Sequence, residues 1–410
     1  MQNRNISALN LVLLVIAAEI FSMGGFSSYS VVLVELNGLW GLNNTEAGWL
    51  SSAYYMGYVA AVPFLVGMTD RVDAVKVYFF SSIMGVVGGV GFAYFADGFY
   101  SGMMYRAIAG VSLAGTYMPG LKLLTERLET AHRLRAVPYY TASFGIGVST
   151  SFLATGWVEN FLGWKAAFAF TGLSSILAMV LIVYATYGVP KLTGELVQTV
   201  RRRTLDFRPV FMNKESMTYI LAYFGHCWEL FALRAWLPTF LLFAWHQTYA
   251  GDAGKSISTW ATIIVLVGVP ASILGAETAN QRGRKKLIRI VASVSVVLGV
   301  LCGLTGGLNF YVAVAVQLAY NFAVMADSGA ITTGAFASAS DEVRGATLAV
   351  HSILGFIGAG VGPLIVGFAL DAFGGINSVT AWYGGFAVML AGSAFAALTM
   401  MPKDKQKKTL

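Results

Sequence analysis

GHCWELFALRAW, residues 225–236, lies inside a run from Tyr219 to Trp245 whose only ionisable side chains besides thiol and phenol are His226, Glu229 and Arg234. About 27 residues of this kind form a helix of roughly 40 Å, enough to cross a hydrocarbon layer of about 30 Å. A charge at the centre of such a span costs about 2.5–3.5 kcal/mol on insertion scales, so ionisable groups there face a bundle interior or a wet cavity. An acid, a base and a permanent cation in one span point to a helix inside a polytopic bundle.

The rest of the chain has the same character. Of 410 residues 57% are hydrophobic and 11% are charged, with a mean hydropathy of +0.67. Soluble domains carry about 25% charged residues, so a large soluble core is excluded. Long apolar runs recur, and the expected fold is all-α and polytopic, with transmembrane helices at 9–34, 46–67, 77–97, 100–124, 136–158, 164–187, 217–245, 258–277, 288–307, 309–337, 347–370 and 378–401. The run from Leu9 is longer than the apolar part of a signal peptide and contains Glu19, so it is expected to stay as the first span. Cys227 and Cys302 fall in apolar runs and suggest no disulfide framework.

Residues 188–215 hold Lys191, Arg201, Arg202, Arg203, Arg208 and Lys214. They read as a basic cytoplasmic linker between two six-helix bundles, 1–187 and 216–401, with a basic tail at 402–410. If both termini are cytoplasmic, all but four of the 27 Lys and Arg lie in cytoplasmic loops, tails or span ends. The exceptions are Lys165 and Lys255 outside, and Arg106 and Arg234 within spans. This positive-inside bias makes the net charge of +7 a topology signal and a contact for lipid headgroups, with no need for nucleic acid. The expected location is the cytoplasmic (inner) membrane.

The halves echo each other. A shift of 210 residues puts Glu19 on Glu229, Asp70 on Asn280 and Lys76 on Lys286. ENFLG and WKAAF, residues 159–168, match DAFGG at 371–375 and WYGGF at 382–386 in chain order and with similar spacing. Parallel repeats of this kind mark one large transporter architecture.

On these residues the chain resembles the major facilitator superfamily from Leu9 to Met401. GMTDRVDAVK, with Gly67, Asp70, Arg71 and Lys76, is similar to the family's loop between spans two and three, although Asp73-Ala74 replaces the usual Gly-Arg. ANQRGRKK keeps Gly283, Arg284 and Lys285 but has Asn280 where the acid would stand. The resemblance implies that these loops make charge contacts that break and re-form as the halves rock. Arg106 with Gly110 resembles a span-four motif linked to proton coupling. The span-five Gly-Pro of drug antiporters is absent, while span eleven has Gly358, Gly362, Pro363 and Gly367. The closest look is to bacterial porters related to the nitrate/nitrite and cyanate branches, without the glycine-asparagine helices of nitrate porters.

On an ideal helix Glu229 and Arg234 lie about 140° apart and about 7.5 Å along the axis, so they should answer to different partners. Pro238 cannot donate to the carbonyl of Arg234, which weakens the helix at the cation. Arg234 is expected to hold an anionic group, with His226, Trp228 and Trp236 around it, because a guanidinium stays charged and binds carboxylate in two places. Glu19 and Glu229, with His226 assisting, are expected to carry protons, and Arg106 and Asp327 to take part in coupling. Gly67, Asp70, Arg71, Lys76, Asn280, Gly283, Arg284 and Lys285 read as gating residues. Gly358, Gly362, Pro363 and Gly367 read as sites of close helix packing. Tyr54, Tyr55, Tyr139 and Tyr140 suit either a cavity wall or packing.

No phosphate loop, metal cluster or nucleophile triad stands out, so neither an enzyme, a metal nor a cofactor is expected. The expected function is a secondary active transporter, monomeric in the bilayer, driving proton-coupled uptake of a small organic or inorganic anion by alternating access. The alternatives are proton-coupled export of cationic or amphipathic compounds, and a non-transporting sensor or assembly protein.

Overall fold

The structure, a computed structural model, describes residues 6–192, 207–340 and 343–402. Residues 193–206, half of the expected linker and with it the arginine cluster at 201–203, and the tail from 403 lie outside the described residues. The described residues are helical throughout, with no strand among them. Fifteen helices run in order: α1 Ala8–Ser22, α2 Ser28–Trp40, α3 Asn44–Met68, α4 Ala74–Phe95, α5 Phe99–Thr125, α6 Thr130–Thr186, α7 Arg208–Met212, α8 Lys214–Thr248, α9 Ser256–Leu266, α10 Gly268–Arg282, α11 Arg284–Thr305, α12 Phe310–Ala326, α13 Ser328–Ala337, α14 Arg344–Ala372 and α15 Val379–Thr399. Ten helical stretches among them, counting α9 with α10 and α12 with α13, are long and apolar enough to cross a membrane.

The expected spans differ from these helices at identifiable points. The run expected as 9–34 is two helices, because the chain leaves helical geometry between Met23 and Ser27, around the pair Gly24-Gly25. Spans expected at 136–158 and 164–187 are joined in α6, which changes course at Gly163 with φ at +79°. Glycine adopts that angle without a Cβ clash, so one residue does the work of a loop. The spans expected at 258–277 and 309–337 break after Leu266 and at Asp327.

In hydrocarbon every backbone polar group freed by a break needs a partner, and polar side chains supply it. Gly24 O accepts from Ser151 Oγ at 2.8 Å, and Gly25 O accepts from Arg106 Nη1 at 3.2 Å. Ile264 O, at the α9–α10 break, accepts from Asn321 Nδ2 at 2.6 Å. Interrupted helices thus position Arg106, Asn321 and Asp327 in the interior.

Small residues bring α14 against its neighbours. A Cβ on Gly358 or Gly362 would strike the backbone oxygens of Phe224 and Trp228 in α8, and one on Gly367 would strike Asn44 O in α3. Trp236 Nε1 donates to Pro363 O at 2.9 Å. At the opening end of α3, the Asp371 carboxylate of α14 accepts from Asn44 N at 3.0 Å, Asn44 Nδ2 at 2.7 Å, Thr45 N at 2.8 Å and Thr45 Oγ1 at 2.6 Å. A carboxylate at a helix N-terminus complements the helix dipole as well as these donors.

Candidate functional site

α8 carries the charged stretch through the core, and Pro238 lies within it without ending the helix. Glu229, 1% exposed, accepts from Ser295 Oγ in α11 and Tyr320 Oη in α12, both at 2.8 Å, and from Ser393 Oγ in α15. Arg234, 3% exposed, points elsewhere, as the 140° separation requires. Its Nη2 reaches Met325 Sδ of α12 at 3.7 Å, its Cζ lies 5.4 Å from the centre of the Phe231 ring, and its Nε has no partner. No carboxylate pairs with Arg234 among the described residues. A thioether is a weak acceptor, so the guanidinium's hydrogen-bonding capacity is largely unspent.

His226 turns to Asp327 instead of Glu229. Its Nδ1 lies 2.8 Å from Asp327 Oδ1, a close contact but not an aligned hydrogen bond. Three residues on a helix rotate side chains about 60° apart, and that rotation sends Glu229 to the α11–α12–α15 side and His226 to the α12–α13 break. Tyr223 stacks on His351 of α14 at 3.8 Å and lies parallel to His226 at 5.9 Å. His351 Nε2 meets Thr332 Oγ1 at 3.4 Å while its Nδ1 is unpaired. His351 was missed in the sequence. The signal was available, since it is one of four histidines and stands in an apolar run.

Glu19, fully buried in α1, accepts from Ser143 Oγ of α6 through Oε2 and leaves Oε1 without a partner. Arg106 is 4% exposed. Besides bonding Gly25 O, it lies over Tyr54 at 4.6 Å and Tyr29 at 5.7 Å, and its Nε is unpaired. Close approach of α5 to α3 places it there, since a Cβ on Gly110 would strike Tyr54 O. Between the two arginines runs an unbroken set of rings. Tyr54 meets Tyr55 at 5.6 Å, Tyr55 meets Phe231 at 4.9 Å, and Phe26 touches all three. Gln317, wholly buried on α12, has an amide with no partner on either atom, and Asn321 Oδ1 is likewise unpaired.

Trp228 and Trp236 hold the frame. Trp228 Nε1 donates to Val388 O at 2.9 Å, as Trp236 does to Pro363 O, so both indole donors are spent on neighbouring helices.

At the loop end, Asp70 pairs with Lys122 of α5 at 2.7 Å, and Lys285 pairs with Glu215 at 2.7 Å. Arg284 Nη2 meets Asn280 Oδ1 at 3.4 Å, and Gly283 makes the α10–α11 turn at φ +92°. A Cβ on Gly67 would meet nothing within 4 Å. Asp73, a departure from the family pattern, caps α4 by accepting from Val75 N at 2.9 Å. It also lies 3.3 Å from Lys191 Nζ and 3.9 Å from Arg127 Nη2. Burial pushes its carboxyl up, but the Val75 amide and the Lys191 and Arg127 charges outweigh that and hold it below the ordinary aspartate value. Burial pulls the Lys191 ammonium down, and its hydrogen bond to Glu126 with the Asp73 charge leaves it above the ordinary lysine value.

The sequence matches the family model described as Major Facilitator Superfamily over residues 15–345. It is similar to the niacin transporter NiaP of Acinetobacter baylyi, 23% identical over 60% of this chain and 61% of that protein. It is also similar to a probable 4-methylmuconolactone transporter of Cupriavidus pinatubonensis, 24% identical over 52% of this chain and 50% of that protein. The chain therefore spans about half to three fifths of the length of these two relatives. A bacterial homolog of the human lysosomal transporter Spinster, inward-facing and unoccupied, superposes with a TM-score of 0.79, at 16% identity over 96% of each chain.

Proposed function

The chain belongs to the major facilitator superfamily, and from that premise we propose that it takes up a small organic or inorganic anion with protons by alternating access. Members of the family move small solutes, and this one is a multi-pass membrane protein with many apolar helices. Twelve spans in two six-helix bundles result when α1 with α2, α9 with α10 and α12 with α13 each count as one interrupted span, and α6 counts as two. The positive-inside bias supports cytoplasmic termini, and the similarity to bacterial transporters supports a cytoplasmic (inner) membrane.

One observation carries the anion reading: Arg234 is buried at 3% exposure without a carboxylate among the described residues. A desolvated cation costs several kcal/mol unless an anion or a hydrogen-bond network compensates it, and a substrate anion meets that need. The unpaired amide of Gln317, on the α12 face that also carries Met325, supplies a further donor to such an anion through its Nε2.

Glu19 and Glu229 serve as proton carriers. Each carboxyl is held by hydroxyls instead of a cation, a setting in which the protonated and ionised forms both find partners. The His226–Asp327 pair is a third proton site near Arg234 on the α12–α13 break. One proton carried with a monoanion makes the cycle electroneutral, and a second adds about 2.3 kcal/mol of drive per 100 mV. Asp371 with Asn44 and Thr45 forms the contact that opens when the halves part at that end, while the Asp70–Lys122 pair lies at the other.

The test is anion uptake into vesicles reconstituted with the purified protein, under an inward proton gradient. Accumulation is expected for the wild type and its loss for Arg234→Gln. Uptake unchanged in that variant overturns the assignment.

A further inference from the structure

We propose that the site selects planar aromatic carboxylates over saturated or inorganic anions, an inference that rests on the anion reading above. The fixed positive charge of this interior is presented almost wholly on aromatic faces. Arg234 lies over Phe231 and Arg106 over Tyr54, and Tyr55 packs against both of those rings. Phe26, from the break between α1 and α2, packs on Tyr54, Tyr55 and Phe231, and Phe356 of α14 closes the set at 5.6 Å from Phe231. These rings come from both sequence halves and meet where α2, α3, α8 and α14 converge.

The chemistry of such a wall is selective. A guanidinium fork takes a carboxylate through two parallel hydrogen bonds. The body of the bound anion, beyond its carboxylate, then meets ring faces. Aromatic pairs prefer tilted or edge-on contact at centroid distances of about 4.5–7 Å, and the resident pairs already stand this way, Tyr55 to Phe231 at 4.9 Å and 60°. A substrate ring that slips between them exchanges one aromatic contact for two. A saturated ring of the same size fills the volume without the quadrupole contact. A polyhydroxylated acid would leave its hydroxyls against ring faces, where unpaired polar groups are costly. An inorganic oxyanion satisfies the arginine but leaves the rings without a guest.

The measurement is equilibrium binding to the purified full-length protein with three probes: benzoate, cyclohexanecarboxylate and nitrate. Benzoate is expected to bind about two- to tenfold tighter than cyclohexanecarboxylate, the range that aromatic pairs supply, and nitrate weaker than either. Phe231→Leu should bring the benzoate-to-cyclohexanecarboxylate ratio to about one while both still bind. Tyr55→Leu provides the same readout on the other half of the molecule if the first variant fails to fold. A wild-type ratio of one overturns the proposal and leaves anion uptake standing, as does tighter binding of nitrate than of both carboxylates. A ratio unmoved in the variants also overturns it. Absence of binding by all three probes brings down the anion reading and this inference together.

Discussion

Replacing Asp371 with asparagine tests whether the contact between α14 and α3 holds the molecule shut at that end. The carboxylate accepts four hydrogen bonds, two on each oxygen, from the backbone and side chains of Asn44 and Thr45. Asparagine keeps the volume but offers one carbonyl, so one donor pair loses its acceptor and faces an amide N–H₂. The site is exposed, so each lost bond is taken at the low end of the usual range, about 0.5–0.7 kcal/mol. Removing a negative charge from a helix N-terminus adds about 0.5 kcal/mol. The total is about 1.5–2 kcal/mol, which raises the open fraction roughly ten- to thirtyfold. The assay is labelling of Ser52→Cys by a membrane-impermeant maleimide. Ser52 is 1% exposed and bonds Gly360 O across the same seam, and the native Cys227 and Cys302 are buried, so the background is low. The labelling rate should rise roughly tenfold or more in the Asp371→Asn background. Equal rates in both backgrounds, with the protein folded, would refute the reasoning.

Further outcomes are expected elsewhere. Glu229→Gln should abolish accumulation driven by a pH gradient, about tenfold per pH unit for one proton per monoanion, while anion exchange without a gradient continues; retained accumulation would remove Glu229 from coupling. Gly110→Ala forces a methyl onto Tyr54 O and should cost about 1–3 kcal/mol, read as an earlier midpoint in detergent-induced unfolding. Asp73→Asn should lower stability by up to about 1 kcal/mol through the weakened cap and pairs. Because the Asp73 carboxyl sits below its ordinary value in the native state, its contribution is present above about pH 3.9 and fades as pH falls through the depressed native value. The stability difference between Asp73→Asn and wild type should therefore shrink in acid and hold steady at neutral pH.

The site was legible to the extent that local geometry governs it. The angular separation of Glu229 and Arg234 anticipated separate partners, and they have them: three hydroxyls for the acid, a thioether and a ring for the cation. The glycines of α14 read as packing positions, and Gly358, Gly362 and Gly367 meet neighbouring backbone. His226 beside Glu229 on one helix suggested a shared relay, but proximity along a helix leaves rotation free, and the histidine turns to Asp327. Asp73 read as a defect in a motif, yet it caps α4 and gathers Lys191 and Arg127. The gap at Gly163 looked like a loop because span length is read from hydropathy, which is blind to a single left-handed residue.

The sequence by itself determined that this chain is a bundle of membrane helices and which interiors carry charge. Both stem from transfer energies, which are properties of each segment alone. The family, too, was visible in loop residues close together in the chain. Only the tertiary structure decided which charges are spent and which are left over. Glu229 meets Ser393 across 164 residues, Asp371 meets Asn44 across 327, and Arg234 meets no acid among the described residues. Such pairings depend on the rotation and depth of whole helices, which are set by close contacts such as Gly110 on Tyr54 and Gly362 on Trp228. No local pattern encodes that sum of packing constraints, and it is what leaves a buried guanidinium facing a ring instead of a carboxylate.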